Sequence, residues 1–145
     1  MENKDTLGVL TEVMHGAQMG IAAIDEVLKK CENQPIEKHL LKTQNDYKDL
    51  EQRLDKEIQN MGGVPHEINV WSKVGAWTVA NVETIAGDTN KQIAKMMLNG
   101  MDMAEKKMAQ TKTNHPKASR KSLKYCEELL QWQSKQRPIY EAYLS

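Results

Sequence analysis

Four long stretches of this sequence repeat their apolar residues every three or four positions, and this period constrains the fold more than any other feature. Such spacing places the apolar side chains on one face of an α-helix, which must then be buried against other helices. The sequence therefore predicts an all-α protein with four such helices, and we call the apolar stripe of each helix its seam. The four segments run from Asp5 to Asn33, Ile36 to Met61, Asp88 to Thr111, and Ala118 to Tyr143.

Turn-forming residues separate these helices. Pro35 suits the first turn of the second helix. Gly62 and Gly63 can adopt the left-handed conformation that ends a helix, and Pro65 prevents it from continuing. Pro138 falls on the predicted outer face of the fourth helix, where we expect a kink or an end.

The connection between the second and third helices is long, and residues 70–85 within it resemble a short helix. Val70, Val74 and Trp77 would share one face of that helix. One long crossover is typical of the ferritin-like type of four-helix bundle. We therefore expect residues 1–145 to form one such bundle, with a short extra helix in the crossover.

Composition limits the classes of function. Lys and Arg number 20, as do Asp and Glu, so the basic excess of a dedicated nucleic-acid binder is missing. Cys31 and Cys126 lie far apart, which indicates free thiols in a reducing cytoplasm. The first residues do not resemble a signal peptide, and no run approaches the roughly 18 apolar residues that span a membrane.

Small residues and methionines are prominent in the seams. Gly8, Gly16 and Gly20 weaken the first helix but permit the close approach of a neighbour. Gly100 and Ala104 predict a tight crossing of the third helix. The 9 methionines, with no Phe, indicate a core whose irregular gaps are filled by flexible side chains, or alternatively a Met-rich ligand groove.

The turn at Asn60–Pro65, followed by a crossover that carries two tryptophans, resembles a recurrent feature of small bacterial ferritin-like proteins. The resemblance is to a family of uncharacterised function and covers nearly the whole chain. It implies a fold rather than an activity.

Di-iron ferritin-like proteins need a Glu from each of two helices and a Glu-x-x-His from each of the other two, all directed inward. The corresponding inward positions here hold no carboxylate or imidazole: Ala17, Ile21, Tyr47, Leu50, Gly100, Ala104, Leu129 and Trp132. One Glu-x-x-His occurs, at Glu12 and His15, and we expect it on the surface. The remaining carboxylates that flank the seams are Asp25, Glu26, Glu51, Glu105, Glu127 and Glu128.

Three functions stay open at this level. The first, which we favour, is a non-catalytic bundle with no cofactor that associates with itself, as a homodimer, or with a protein partner. The second is a divergent iron or manganese protein, for which Glu12, His15, Glu51 and Glu128 are the candidate ligands. The third is a small-molecule binder whose Met- and Trp-lined pocket is bordered by Trp77, Met97 and Trp132.

A basic cluster lies at the corner between the third and fourth helices. It is either a docking patch for anionic partners or a solvated corner. Its members are Lys106, Lys107, Lys112, Lys117, Arg120, Lys121 and Lys124.

Overall fold

The computed structural model describes residues 2–31, 34–63 and 89–144, with side chains from Lys4 onward. This part of the chain is helical and contains no strand. It forms α1 (Glu2–Leu28), α2 (Glu37–Asn60), α3 (Thr89–Asn114) and α4 (Arg120–Glu141), followed by a short 3-10 turn (Ala142–Leu144). The predicted all-α, four-helix architecture is confirmed. The short helix predicted at 70–85 lies outside the described residues.

Contacts at the helix ends fix the direction of each helix. Asp5, near the start of α1, accepts a hydrogen bond from the backbone of Lys117, just before α4. At the opposite end, the backbone N–H of Ile36 donates to the side chain of Asn90 at the start of α3. Hence α1 and α4 point one way, and α2 and α3 point the other way. The chain therefore passes from one end of the bundle to the other between Gly63 and Thr89.

The buried apolar residues of all four helices join into one cluster. Helix α1 lies at its centre, because it contacts α2, α3 and α4. Seven side chains from its beginning to its end are at most 3% exposed: Val9, Leu10, Val13, Met14, Ala17, Ile24 and Val27. Burial of this stripe against three neighbours stabilises the bundle through the hydrophobic effect.

Length and composition alone would allow the segment Lys4–Leu28 to cross a membrane, since an 18-residue window within it has a mean hydropathy of 1.2. No such segment is predicted from runs of consecutive apolar residues. Within the bundle this helix is a core element, because it contacts α2, α3 and α4.

The end of α2 follows the predicted turn. Gly62 adopts a φ of 77°, in the left-handed region. Its N–H donates to the carbonyl of Gln59, and the N–H of Gly63 donates to that of Ile58. These two bonds are those of a Schellman motif, which satisfies carbonyls that the helix itself leaves unpaired.

Asp5, at which the first helix is predicted to begin, and the adjacent Thr6 have a different role. Helix α1 already begins at Glu2, ahead of Asp5 and Thr6. Thr6 instead accepts a hydrogen bond of 2.8 Å from the backbone of Ser119, the residue that caps α4. The side chains therefore stabilise the start of a distant helix. Local sequence cannot distinguish the two roles, because both need a short oxygen-bearing side chain.

The predicted seam of α4 is confirmed at Ser122 and Leu129, which are buried. At three other steps the period of three and four residues predicts burial of Tyr125, Trp132 and Ile139, whereas the structure buries the next residue in each case: Cys126, Gln133 and Tyr140. Partly buried Trp132 instead places its ring beneath the guanidinium of Arg53, 6.0 Å away. Exposed Pro138 lies on the outer face, as predicted, but α4 continues past it to Glu141.

The free thiols of Cys31 and Cys126 are fully buried. Burial raises the pKa of the Cys126 thiol from 9.0 to about 11. We expect dithiodipyridine to react with the folded protein at least about 100-fold more slowly than with the urea-unfolded chain near pH 8, because the thiolate is the nucleophile. Absorbance at matched protein concentration measures both rates. Equal rates would contradict the burial of these thiols.

Candidate functional site

A groove runs between α1 and α3, and its volume is about 740 Å³. Small-molecule sites in proteins usually enclose about 300–1,000 Å³. We call it the α1–α3 groove. One wall comes from α1 between Glu12 and Ile24, the other from α3 between Met96 and Gln110, and the floor from Tyr47 of α2 with Leu129 and Gln133 of α4.

Methionine side chains form most of the apolar wall. Helix α3 contributes five and α1 contributes one, so six of the nine methionines line the groove: Met19, Met96, Met97, Met101, Met103 and Met108. Met103 is 57% exposed at its edge, whereas Met108 is buried. Flexible, polarisable thioethers can adjust to ligands of different shape.

Small residues open the space between the two helices. Gly16, Gly20 and Ala23 line the α1 side, while Gly100 and Ala104 face them from α3. Among the residues that the structure describes, a Cβ atom at Gly100 would meet nothing within 4 Å. The predicted tight crossing at Gly100 is therefore wrong, because its missing side chain leaves a cavity rather than admitting a neighbouring helix.

Tyr47 reaches the groove from α2 by lying against Gly20. A Cβ atom at Gly20 would approach the Cε2 atom of the Tyr47 ring to 2.7 Å, so glycine is required for this placement. The tyrosine is only 8% exposed. Burial raises the pKa of its hydroxyl, which consequently remains protonated at neutral pH.

Gln133 is the second polar group at the floor. Its Nε2 atom donates a hydrogen bond of 3.2 Å to the hydroxyl of Tyr47. The residue is 5% exposed, and its Oε1 atom has no hydrogen-bond partner within the described part of the chain. An unpaired amide oxygen costs about 1–3 kcal/mol when it is buried. The floor thus combines an apolar surround with one unsatisfied polar group.

Charged residues lie at the end of the groove nearest Glu12. Glu12 pairs with Lys107 across the two walls at 3.0 Å. His15 and Lys106 line the same end. Gly20, which contacts Tyr47, lies eight residues after Glu12, or about 12 Å farther along α1. The charged end of the groove is therefore separated from the polar pair at its floor.

The four candidate metal ligands occupy separate surroundings. Glu12 is paired with Lys107, and Glu128 accepts a hydrogen bond of 3.1 Å from Nη1 of Arg53. Half-buried Glu51 lies on α2, and His15 lines the groove. Across residues 2–31, 34–63 and 89–144, no three His, Cys, Asp or Glu side chains are arranged to hold a metal ion.

The basic cluster at the α3–α4 corner is partly paired. Lys107 contacts Glu12, and Lys121 contacts Glu57 of α2 at 2.9 Å. These pairs are half-exposed or exposed, so each contributes about 0–1 kcal/mol to stability.

The predicted pocket residues do not share one cavity. Met97 lines the α1–α3 groove. Trp132 lines a neighbouring cavity of about 10 Å³, together with Tyr47 and Gln133, and Trp77 lies outside the described residues. Sequence reasoning missed Gln133 because the apolar Trp132 beside it fitted the helical seam better. The one sequence feature that could have indicated this site is that Gln133, a polar residue, is adjacent to the predicted apolar face of the fourth helix.

The comparisons with family models, curated proteins and solved structures find no match to this chain.

Proposed function

We propose that this chain is a non-catalytic, ferritin-like bundle that binds an apolar small molecule in the α1–α3 groove. The observation that carries the proposal is the groove itself, which combines about 740 Å³ of space with walls formed mainly by methionine. The ferritin-like assignment is supported by the helix directions. Helices α2 and α3 run parallel, so the connection between them must span the length of the bundle, as one long crossover does in ferritin-like proteins.

The groove supports binding of a ligand better than it supports catalysis or metal storage. Glu12 is engaged by Lys107, and Glu128 by Arg53, so neither carboxylate is directed toward a shared ion. Apolar walls with few polar groups are typical of sites that hold a small molecule and fix its orientation.

Association with a second copy or with another protein stays a prediction. Among the described residues, large apolar side chains are exposed at Leu41, Met61 and Met103. The first two belong to opposite ends of α2, whereas Met103 lies on α3 at the edge of the groove. These separate positions offer less apolar surface than the groove does.

Binding of the neutral fluorophore N-phenyl-1-naphthylamine tests the proposal. We expect its fluorescence to increase on titration with the full chain, with a dissociation constant on the order of 10 µM. Gly100→Leu should weaken this binding at least about 10-fold, since the new side chain enters the empty space beside Gly100.

Asn99→Leu is the matched control, because it introduces the same side chain at an exposed position that is not in the groove lining. Its affinity should equal that of the unmodified chain. Thermal unfolding by circular dichroism establishes that both variants fold. Equal affinities for Gly100→Leu and Asn99→Leu would show that the fluorophore binds elsewhere and would contradict the proposal.

A further inference from the structure

We infer that the ligand of the α1–α3 groove is an uncharged amphiphile of the alkyl alcohol class, whose hydroxyl is bound by Gln133 and Tyr47. This inference rests on the proposed function and specifies the chemistry of the occupant. It follows from the polar pair at the floor, from the charges around that pair, and from the length of the apolar wall.

Gln133 provides the first step. It is 95% buried, it lines the groove, and its Oε1 atom has no partner among the described residues. A buried amide oxygen is stabilised when a donor reaches it. Occupation of the groove by a ligand with a donor would satisfy this atom.

The pair with Tyr47 provides the second step. The tyrosine hydroxyl accepts a hydrogen bond from Gln133, and its own proton remains available to donate. An alcohol hydroxyl both donates and accepts, so it can donate to Oε1 of Gln133 while it accepts from Tyr47. If the amide is turned by 180°, Tyr47 donates to its oxygen, and the alcohol hydroxyl accepts from the amide nitrogen and donates to the Tyr47 oxygen, so a ligand with a donor is still preferred.

The surrounding charges favour an uncharged head group. Asp46 lines the small cavity next to Tyr47 and Gln133, and its carboxylate is already paired with Lys42 at 2.8 Å. The described residues that line this cavity include no Lys or Arg, so it offers no unpaired cation to a carboxylate at the pair. The basic residues of the groove, Lys106 and Lys107, lie at its other end, where Lys107 is already paired with Glu12. An anion buried without a cation partner is strongly disfavoured.

The wall leading from the polar pair toward the Glu12 end accommodates the alkyl chain. From Gly20, which touches the Tyr47 ring, to Glu12 the groove extends about 12 Å along α1. Gly16, Leu129 and Met108 line this stretch, so a chain of roughly eight to ten carbons would contact apolar groups for most of its length.

The small cavity offers an alternative partner for Gln133. Its volume of about 10 Å³ corresponds to about one water molecule. A water held there would satisfy Oε1 without any ligand, and an alcohol would then gain nothing over an apolar molecule of the same size.

Competition against bound N-phenyl-1-naphthylamine distinguishes these cases. Octan-1-ol, its isomer heptyl methyl ether, which lacks a donor, and octanoate are titrated against the full chain. We expect the alcohol to bind about 5- to 10-fold more tightly than the ether, and octanoate to bind most weakly. Gln133→Met, with its own affinity for the fluorophore determined first, should reduce the ratio of alcohol to ether affinity to about one.

Gln131→Met is the matched control, since Gln131 is exposed on the same helix and is not in the groove lining. It should keep the ratio of the unmodified chain. Equal affinities for alcohol and ether in the unmodified chain, or a ratio that persists in Gln133→Met, would overturn this inference while leaving the proposed function intact. No fluorophore binding at all would overturn both.

Discussion

Gly20→Ala is expected to lower the free energy of unfolding by about 2 kcal/mol. The new Cβ atom would lie 2.7–3.0 Å from three atoms of the Tyr47 ring, which is buried and hydrogen-bonded and so cannot move freely. Overpacking of this kind costs about 3 kcal/mol at the upper end of its usual range, against a gain of about 1 kcal/mol in helix propensity. Urea unfolding followed by circular dichroism measures the difference.

Gly100→Ala is the natural control for this prediction. It makes the same substitution in another helix, but its Cβ atom would meet no atom of the described residues within 4 Å. We expect an increase in stability of up to about 1 kcal/mol, from helix propensity alone. The two variants should therefore differ by about 3 kcal/mol. A stabilising effect of Gly20→Ala would show that Tyr47 does not lie against α1.

Thr43→Val is expected to cost about 1–3 kcal/mol, although the two side chains have the same shape. Thr43 is buried, and its hydroxyl lies 2.8 Å from the hydroxyl of Tyr140. Removal of the threonine oxygen would leave the fully buried Tyr140 hydroxyl without that partner. Chemical unfolding of the variant at neutral pH gives the magnitude.

A double-mutant cycle with Tyr140→Phe isolates this interaction. Because the double variant leaves no orphaned hydroxyl between α2 and α4, its cost should be smaller than the sum of the two single costs by about 1 kcal/mol. Strictly additive effects would contradict direct coupling between Thr43 and Tyr140. The half-buried Gln136, which also accepts from Thr43, can turn to solvent in both variants.

Helix periods and helix ends are the parts of this fold that sequence reasoning predicts best. The end of α2, at Asn60 with Gly62 in the left-handed region, matches the predicted turn, because glycine acts through local backbone geometry. The shift in burial along part of α4 was not predictable in this way. Whether Trp132 or Gln133 points inward depends on partners from α2, namely Arg53 and Tyr47.

The groove was predicted only in part. The methionine content indicates either core filling or a ligand groove, but it does not predict where such a groove lies. Gly20 and Gly100 look equivalent in sequence, yet one contacts an aromatic ring and the other faces open space. The difference depends on the distance between helices, which is a tertiary property. An unpaired oxygen on Gln133 likewise becomes visible only when every neighbour has been placed.

The bonds from Asp5 and Thr6 to the start of α4 also bear on the order of events during synthesis. Asp5 and Lys117 are 112 residues apart in the chain, and Thr6 and Ser119 are 113 apart. On a ribosome, the first turns of α1 must therefore wait for nearly the whole polypeptide to emerge before these partners exist. The α1–α2 hairpin can assemble early, whereas closure of that end of the bundle belongs to the last stage of translation or follows release.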